Sequence, residues 1–444
     1  MAANPDVPRH APSSTARLMA ALSCCSKIAE MGLIAKTQSR AVEIGIGIGL
    51  AGIALAASPV GLRIATGRSD LNLRIEVLSL TLAAFLLILS GAFVSYGRAR
   101  RAFFYLIVWS FPLALLAAVE AGAVAVRLSE WIAPTEDKSI LNEKDRRSPP
   151  YLMSVGRFTR RDGVTLYKPW RGDGIAINEV GLRTKSPTPK QLSEWRIAVT
   201  GGSAVWGAYV LDVDTIPVQL QQLLDRSGHH DISVYNFGIE GIKTADELAV
   251  LRRFTELYSI DQVIFYTGGN DATQSYLNAI TPPEARPPRL LDSGTSFELI
   301  KVIRALQAKF IKPSEGFLAH LDAEVLPKLR QNISLIIGMA EARTYCRQER
   351  LQCEFVLQPM LLLRKNPVGP EIALARSIKQ LEPRWDVALE MIYHAARNSG
   401  ADVHDFSNIF DGSTQPVFID AIHVNELANR IIAERLATIV AGRN

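Results

Sequence analysis

Four short stretches of this 444-residue chain hold side chains whose types could do chemistry together. Ser203 follows Gly201 and Gly202. Gly238 and Gly241 punctuate Asn236-Phe-Gly-Ile-Glu-Gly. Asn270 and Asp271 follow Gly268 and Gly269, and Asp420 precedes His423 by three residues near the carboxyl end. A serine hydroxyl becomes a nucleophile when a base takes its proton, and imidazole is the side chain most often used for that. A carboxylate three residues ahead of a histidine can reach back to the ring. The set therefore has the ingredients of acyl transfer through serine. Each member also has an ordinary role open to it. Ser203 or Asp420 can cap a helix, Asn270-Asp271 is a common turn pair, and His423 can cap or pack.

The elements that must position these residues are legible as alternating strands and helices. Ile197 to Thr200 is a short apolar run closed by two glycines, which favours a strand over a helix. A serine just past it lies at the carboxyl end of a strand, where open α/β sheets place their ligands. Further strands are expected at Ile232 to Asn236, Gln262 to Thr267, Glu354 to Gln358 and Asp402 to Phe406. Helices are expected at Ile216 to Arg226, Thr244 to Tyr258, Lys328 to Gln348, Pro383 to Ser399 and Glu426 to Val440. This alternation implies a mainly parallel sheet covered on both faces. A long insertion, 272–327, is Pro-rich at 282–288 and carries an amphipathic helix near Phe297 to Phe310; such insertions often border active sites.

Taken in order, the four stretches resemble the blocks of the SGNH hydrolase superfamily, the GDSL-type esterases and lipases. The resemblance spans roughly 196–440. It implies a three-layer α/β/α flavodoxin-like domain with a parallel five-stranded sheet. It also implies roles: Ser203 as nucleophile, His423 as base, and Asp420 as the group that orients the imidazole. The backbone N–H groups of Ser203 and Gly241 and the amide of Asn270 would receive the oxyanion. Gly241 rather than Gly238 matches the second-block glycine. One position departs from the family: Gly202 stands where an aspartate is usual. Trp206 and Tyr209, just past the serine, either wall the acyl pocket or pack the helix.

Ahead of this domain (196–444) come three long apolar runs, Ala41 to Leu62, Val77 to Gly97 and Ala102 to Val126. Each is long enough to cross a hydrocarbon core of about 30 Å as a helix, so 41–128 is expected to be a transmembrane anchor. Gly45 and Gly49 have the spacing for close helix packing in a bilayer. Lys/Arg counts set the orientation. Lys27, Lys36, Arg40, Arg98, Arg100 and Arg101 fall on one side and Arg63, Arg68, Arg74, Arg127 and Lys138 on the other. This puts the amino end inside and the carboxyl domain outside; with the resemblance, the expectation is a bacterial inner membrane and a periplasmic domain. Glu120 is read as a group near the outer interface in preference to a functional intramembrane carboxylate. Residues 1–40 read as a cytosolic or interfacial lead-in. Residues 129–195 read as a linker plus an ordered extension, in which Asn178 to Arg183 is apolar and turn-like, with a docking strand as the other reading.

Charge and composition exclude several classes. The formal charge is +5 with both signs dispersed, and no basic block is interleaved with aromatics, so nucleic acid is not an expected partner. The four cysteines and seven histidines show no metal-ligand spacing, so neither a metal nor a cofactor is implied. Cys346 and Cys353 either pair, if outside the cytoplasm, or remain two buried thiols. The expectation is a membrane-anchored serine esterase or acyltransferase. Its partners would be the lipid bilayer and an acylated glycan or small ester. A catalytically silent carbohydrate-binding or assembly module on the same fold is the alternative.

Overall fold

The computed structural model describes residues 40–66, 73–126, 128–142, 157–159, 164–172, 174–280, 298–310, 313–331, 333–400 and 402–442. The lead-in 1–39 and the Pro-rich stretch 282–288 lie outside them. The chain divides into two compact units, Met1–Gly122 and Ala123–Asn444.

The first unit holds three helices long and apolar enough to cross a membrane: Arg40–Ala57, Glu76–Val94 and Gly97–Ala123. The first ends before Leu62 because Pro59 follows Ser58, and a residue before proline is driven out of the helical region; a short helix, Pro59–Thr66, restarts after the break. Arg40 ties the first helix to the carboxyl end of the second. Its guanidinium donates to Phe93 O at 2.8 Å and Ser95 O at 3.0 Å while pairing with Glu43 at 2.7 Å. Carbonyls at a helix end have no partner within the helix, and a cation there suits the dipole. Close packing falls on Gly47, not on Gly45 and Gly49, which face open space. A Cβ at Gly47 would lie 2.7 Å from Val94 Cγ2, and Ser90 Oγ donates to Gly47 O at 2.6 Å. Glu120 is buried.

The second unit includes the helix Leu128–Ile132 and two antiparallel strand pairs. These are β1 (Arg157–Thr159) with β2 (Thr165–Tyr167), and β3 (Trp170–Gly172) with β4 (Ile175–Ile177). The main sheet consists of β5 (Trp195–Gly201), β6 (Ile232–Gly238), β7 (Gln262–Thr267), β8 (Gln352–Leu357) and β9 (Val403–Asp405). Its order is β6-β5-β7-β8-β9, and every pairing is parallel. That is the flavodoxin-like order, with the switch point beside its first strand, here β5, where ligands bind in such sheets.

Helices cover both faces. Ile216–Arg226 packs with Glu426–Ala441, while Thr244–Tyr258, Ser334–Glu349 and Trp385–Arg397 form a second group. The helix Pro370–Leu381 was not expected. Another, Gly269–Ile280, takes the first turns of what reads as insertion, because Asn270-Asp271 opens a helix instead of a turn. Within the insertion, Glu298–Phe310 is helical. Residues 164–182 supply Leu166, Tyr167, Ile175, Ile177 and Leu182 to the core under the sheet. Asn178 to Arg183 is the turn that its residues suggest and not a docking strand: Asn178 Oδ1 accepts from Val180 N at 3.2 Å and Leu182 N at 3.0 Å, a side-chain turn. Cys346 and Cys353 are bridged, with Cα atoms 6.3 Å apart.

Candidate active site

β5 delivers Ser203. The strand ends at Gly201, Gly202 is the N-cap, and Ser203 opens the single-turn helix Ser203–Trp206. The serine hydroxyl therefore does not cap the helix; it points to a partner 220 residues away. Ser203 Oγ and His423 Nε2 are 2.7 Å apart. On the far side of the ring, His423 Nδ1 and Asp420 Oδ2 are also 2.7 Å apart. Asp420 Oδ1 meanwhile accepts from the backbone N–H groups of Ile422 and His423, both at 2.7 Å. This carboxylate organises the turn that carries the histidine as well as the ring itself. The last helix is capped by Asn425, whose side chain accepts from Ala428 N at 3.1 Å, so neither Asp420 nor His423 serves there.

The electrostatics match the geometry. Burial opposes a charge on His423, but the Asp420 carboxylate beside it, with its hydrogen bond, and the charge of Glu240 outweigh that and raise the imidazole above its usual range. Burial likewise opposes ionisation of Asp420, and the imidazole together with the two backbone N–H groups lowers its pKa nonetheless. A proton on Nδ1 facing Asp420 leaves Nε2 as the acceptor for the serine hydroxyl.

Two further blocks stand beside the serine. Asn270 Nδ2 donates to Ile242 O at 2.7 Å, which uses one of its two amide hydrogens. Gly241, the residue before Ile242, has φ +76°, a conformation that favours glycine. Gly238 has a packing part: a Cβ there would lie 2.3 Å from Trp206 N, so β6 meets the serine helix backbone to backbone. Asp271 joins the two blocks, since its Oδ2 accepts from both N and Oγ1 of Thr244 at 3.0 Å. Of the two aromatics past the serine, Trp206 is fully buried, stacked on Tyr167 at 5.1 Å. Tyr209 lies at the site, its ring 5.3 Å from that of His423.

Several residues that shape the site carry no legible signal in the sequence. Arg183 is buried and donates to Trp206 O, Gly207 O and Val210 O at 2.9–3.0 Å while pairing with Asp212 at 2.6 Å. It caps the carboxyl end of the serine helix and fixes the turn beyond it. Asn236 Nδ2 donates to Val205 O at 2.9 Å, and its Oδ1 accepts from Gly238 N at 2.8 Å. Tyr167 OH donates to Glu240 Oε2 and accepts from Glu240 N, both at 3.1 Å. Below the histidine loop, a buried Arg364–Glu371 pair at 2.6 Å lets Glu371 Oε1 accept from Val417 N and Phe418 N at 2.8 and 2.9 Å.

No protein-family model matches the chain, and no curated protein matches it. Among solved structures, it is similar to an acetyl xylan esterase at 12% identity, over 55% of this chain and 99% of that one, with a TM-score of 0.32. It is also similar to the lipase/acylhydrolase from Enterococcus faecalis at 15% identity, over 56% and 96%, TM-score 0.30. A third is a GDSL-like lipase from Bacteroides thetaiotaomicron at 12%, over 57% and 93%, TM-score 0.29. The chemistry of the site rests on its own distances and not on these likenesses. The chain is thus similar to solved acylhydrolases and esterases, GDSL-type enzymes among them.

Proposed function

We propose that this chain is a membrane-anchored serine esterase that cleaves or transfers acyl groups through an acyl-Ser203 intermediate. The observation that carries the reading is the unbroken relay Ser203 Oγ–His423–Asp420, with both links at 2.7 Å. In the first half-reaction Ser203 Oγ attacks the ester carbonyl as its proton passes to His423 Nε2. Asp420 stabilises the imidazolium and keeps its orientation. The tetrahedral oxyanion is received by the N–H of Ser203, the N–H of Gly241 and the second amide hydrogen of Asn270. Collapse breaks the C–O bond to the leaving alcohol, which takes the proton back from His423. In the second half-reaction, water or a sugar hydroxyl attacks the acyl-serine with His423 again as base, restoring the serine.

The family resemblance extends this reading to acyl groups, acetyl above all, on an envelope polysaccharide or a similar glycan. The catalytic unit is read as lying outside a bacterial inner membrane. Two observations support that side: the Lys/Arg balance of the helix ends, and the Cys346–Cys353 bridge, since disulfides persist mainly in oxidising compartments. A cysteine introduced at Lys190, on the surface of the catalytic unit, should react with an impermeant maleimide in intact cells; reaction only after lysis defeats the outside placement.

The enzymatic reading is tested on the full chain in detergent with a fluorophosphonate probe and p-nitrophenyl acetate. Labelling and turnover should both vanish in Ser203→Ala, and turnover should vanish in His423→Ala. Acetate release from an O-acetylated polysaccharide by the parent, but not by Ser203→Ala, tests the substrate class. A parent that neither takes the probe nor releases acetate is a binding module.

A further inference from the structure

Behind the imidazole lies a small apolar cluster separate from the main core. Leu141, Val210 and Ile419 are its buried members, with Ile140 and Tyr209 packed on them. It joins three pieces of chain: the segment 133–141, the turn that follows the serine helix, and the loop that carries Asp420 and His423. Polar bonds reinforce each junction. Asp137 N donates to Ile419 O at 2.6 Å, Asn425 Nδ2 donates to Ile140 O at 3.3 Å, and Tyr209 OH donates to Glu136 Oε2 at 3.0 Å.

Tyr209 stands at the centre of this arrangement in a conformation that tyrosine rarely adopts, with φ +69°. A bulky residue in the left-handed region persists only where its surroundings over-determine it, and such residues gather at functional sites. Here Arg183 grips Gly207 O and Val210 O on either side, and Glu136 holds the phenol. The ring so placed meets the His423 imidazole edge to face, 5.3 Å between centroids and 69° between planes.

We propose that Tyr209 is a positioning residue for the His423 base, and that Glu136, on the segment leading out of the membrane-spanning helices, holds it there. The imidazole is then set from two directions. Asp420 fixes one ring nitrogen, and the Tyr209 ring limits rocking about that hydrogen bond, so that Nε2 stays on the Ser203 hydroxyl. A displacement of about 1 Å at a catalytic group can cost about 100-fold in rate. This proposal rests on the serine-esterase reading for its rate consequences, while the contact itself does not.

The test compares the full chain with Tyr209→Leu, Tyr209→Phe, Glu136→Ala and the double Tyr209→Phe/Glu136→Ala in detergent. Tyr209→Leu should lower kcat for p-nitrophenyl acetate by about 10- to 100-fold with KM within about twofold. Tyr209→Phe and Glu136→Ala each remove the phenol–carboxylate bond while keeping the ring, and each should lower kcat by about threefold, with the double variant no worse than the weaker single one, as expected of one shared bond. A rise in KM alone would make Tyr209 a wall of the substrate pocket and overturn the proposal, as would parent-like kcat in Tyr209→Leu. A second readout needs no substrate: ethoxycarbonylation of His423 by diethylpyrocarbonate, followed by peptide mass spectrometry. It should speed up in Tyr209→Leu and, to a smaller extent, in Glu136→Ala, although Glu136 meets the phenol oxygen and not the imidazole. Equal rates in all variants refute the positioning contact. A parent inert to ester and probe, with the His423 pattern intact, defeats the esterase reading alone.

Discussion

Asn270 and Gly202 compete for one small volume: a Cβ built on Gly202 would lie 2.3 Å from Asn270 Nδ2. The amide that reaches Ile242 O therefore stands where a side chain at 202 would begin. The position at which this chain departs from the resembling family is thus filled from the third block. Gly202→Ala should displace the amide and lower kcat by about 100-fold, the lower end of the range for a lost oxyanion donor; Gly202→Asp should cost at least as much. Steady-state hydrolysis of p-nitrophenyl acetate reads it, and an unchanged kcat in both removes Asn270 from the oxyanion site.

The acid limb of the pH profile follows from the His423–Asp420 pair. Only the neutral imidazole can take the serine proton, and its pKa is raised from an ordinary 6.5. Activity is therefore lost as pH falls through a midpoint above 6.5, higher than for an isolated histidine. Asp420→Asn removes the charge that holds the proton on the ring, so the midpoint moves down. The same change lets the ring adopt the wrong tautomer, and kcat at neutral pH should fall by about 10³- to 10⁴-fold. A kcat/KM profile with the same midpoint in both proteins would contradict this.

Arg183 should be irreplaceable by lysine. Its planar fork serves three carbonyls and Asp212 at once, and an ammonium cannot reproduce that geometry. Arg183→Lys strands buried carbonyls around the serine helix, at a cost of about 2–4 kcal/mol. In a domain of this size each kcal/mol shifts Tm by about 2–4 °C. Differential scanning fluorimetry of the full chain should show a drop of roughly 4–16 °C on those scales, and a Tm equal to the parent's would refute the capping role.

Glu247 should make stability depend on pH in the opposite sense to a paired acid. Burial, and secondarily the neighbouring Asp271, raise its pKa well above 4.5. A carboxyl raised in the folded state is fully stabilising below its unfolded pKa and loses that contribution as pH climbs towards the folded one, by up to about 1.4 kcal/mol per pH unit. Glu247→Gln carries no proton to lose. Denaturant melts between pH 5 and 8 should give it a flatter curve than the parent and an advantage at pH 8; parallel curves would show that Glu247 is ionised in the fold.

How much was legible in the sequence depends on the range over which each feature is encoded. β7 and the helices Ile216–Arg226 and Thr244–Tyr258 have the bounds that periodicity predicts. In a parallel sheet both faces are buried, so its strands stand out as continuous apolar runs between breakers. The three helices long and apolar enough to cross a membrane were also legible, apart from the early end of the first, since span length follows from bilayer thickness. Asp420 and His423 are neighbours within one turn, so their possible contact could be read from a spacing of three. Contacts between distant parts of the chain were not legible. Periodicity could not choose Gly47 over Gly45 and Gly49, nor tell two thiols from the Cys346–Cys353 bridge. It gave no sign that Arg183 would hold the serine turn or that Glu136 would reach Tyr209. A hydrophobic pattern records which face of an element is buried. Which carbonyl a guanidinium meets, or which ring a phenol backs, depends on how elements 24 to 220 residues apart pack, and tertiary structure alone decides it.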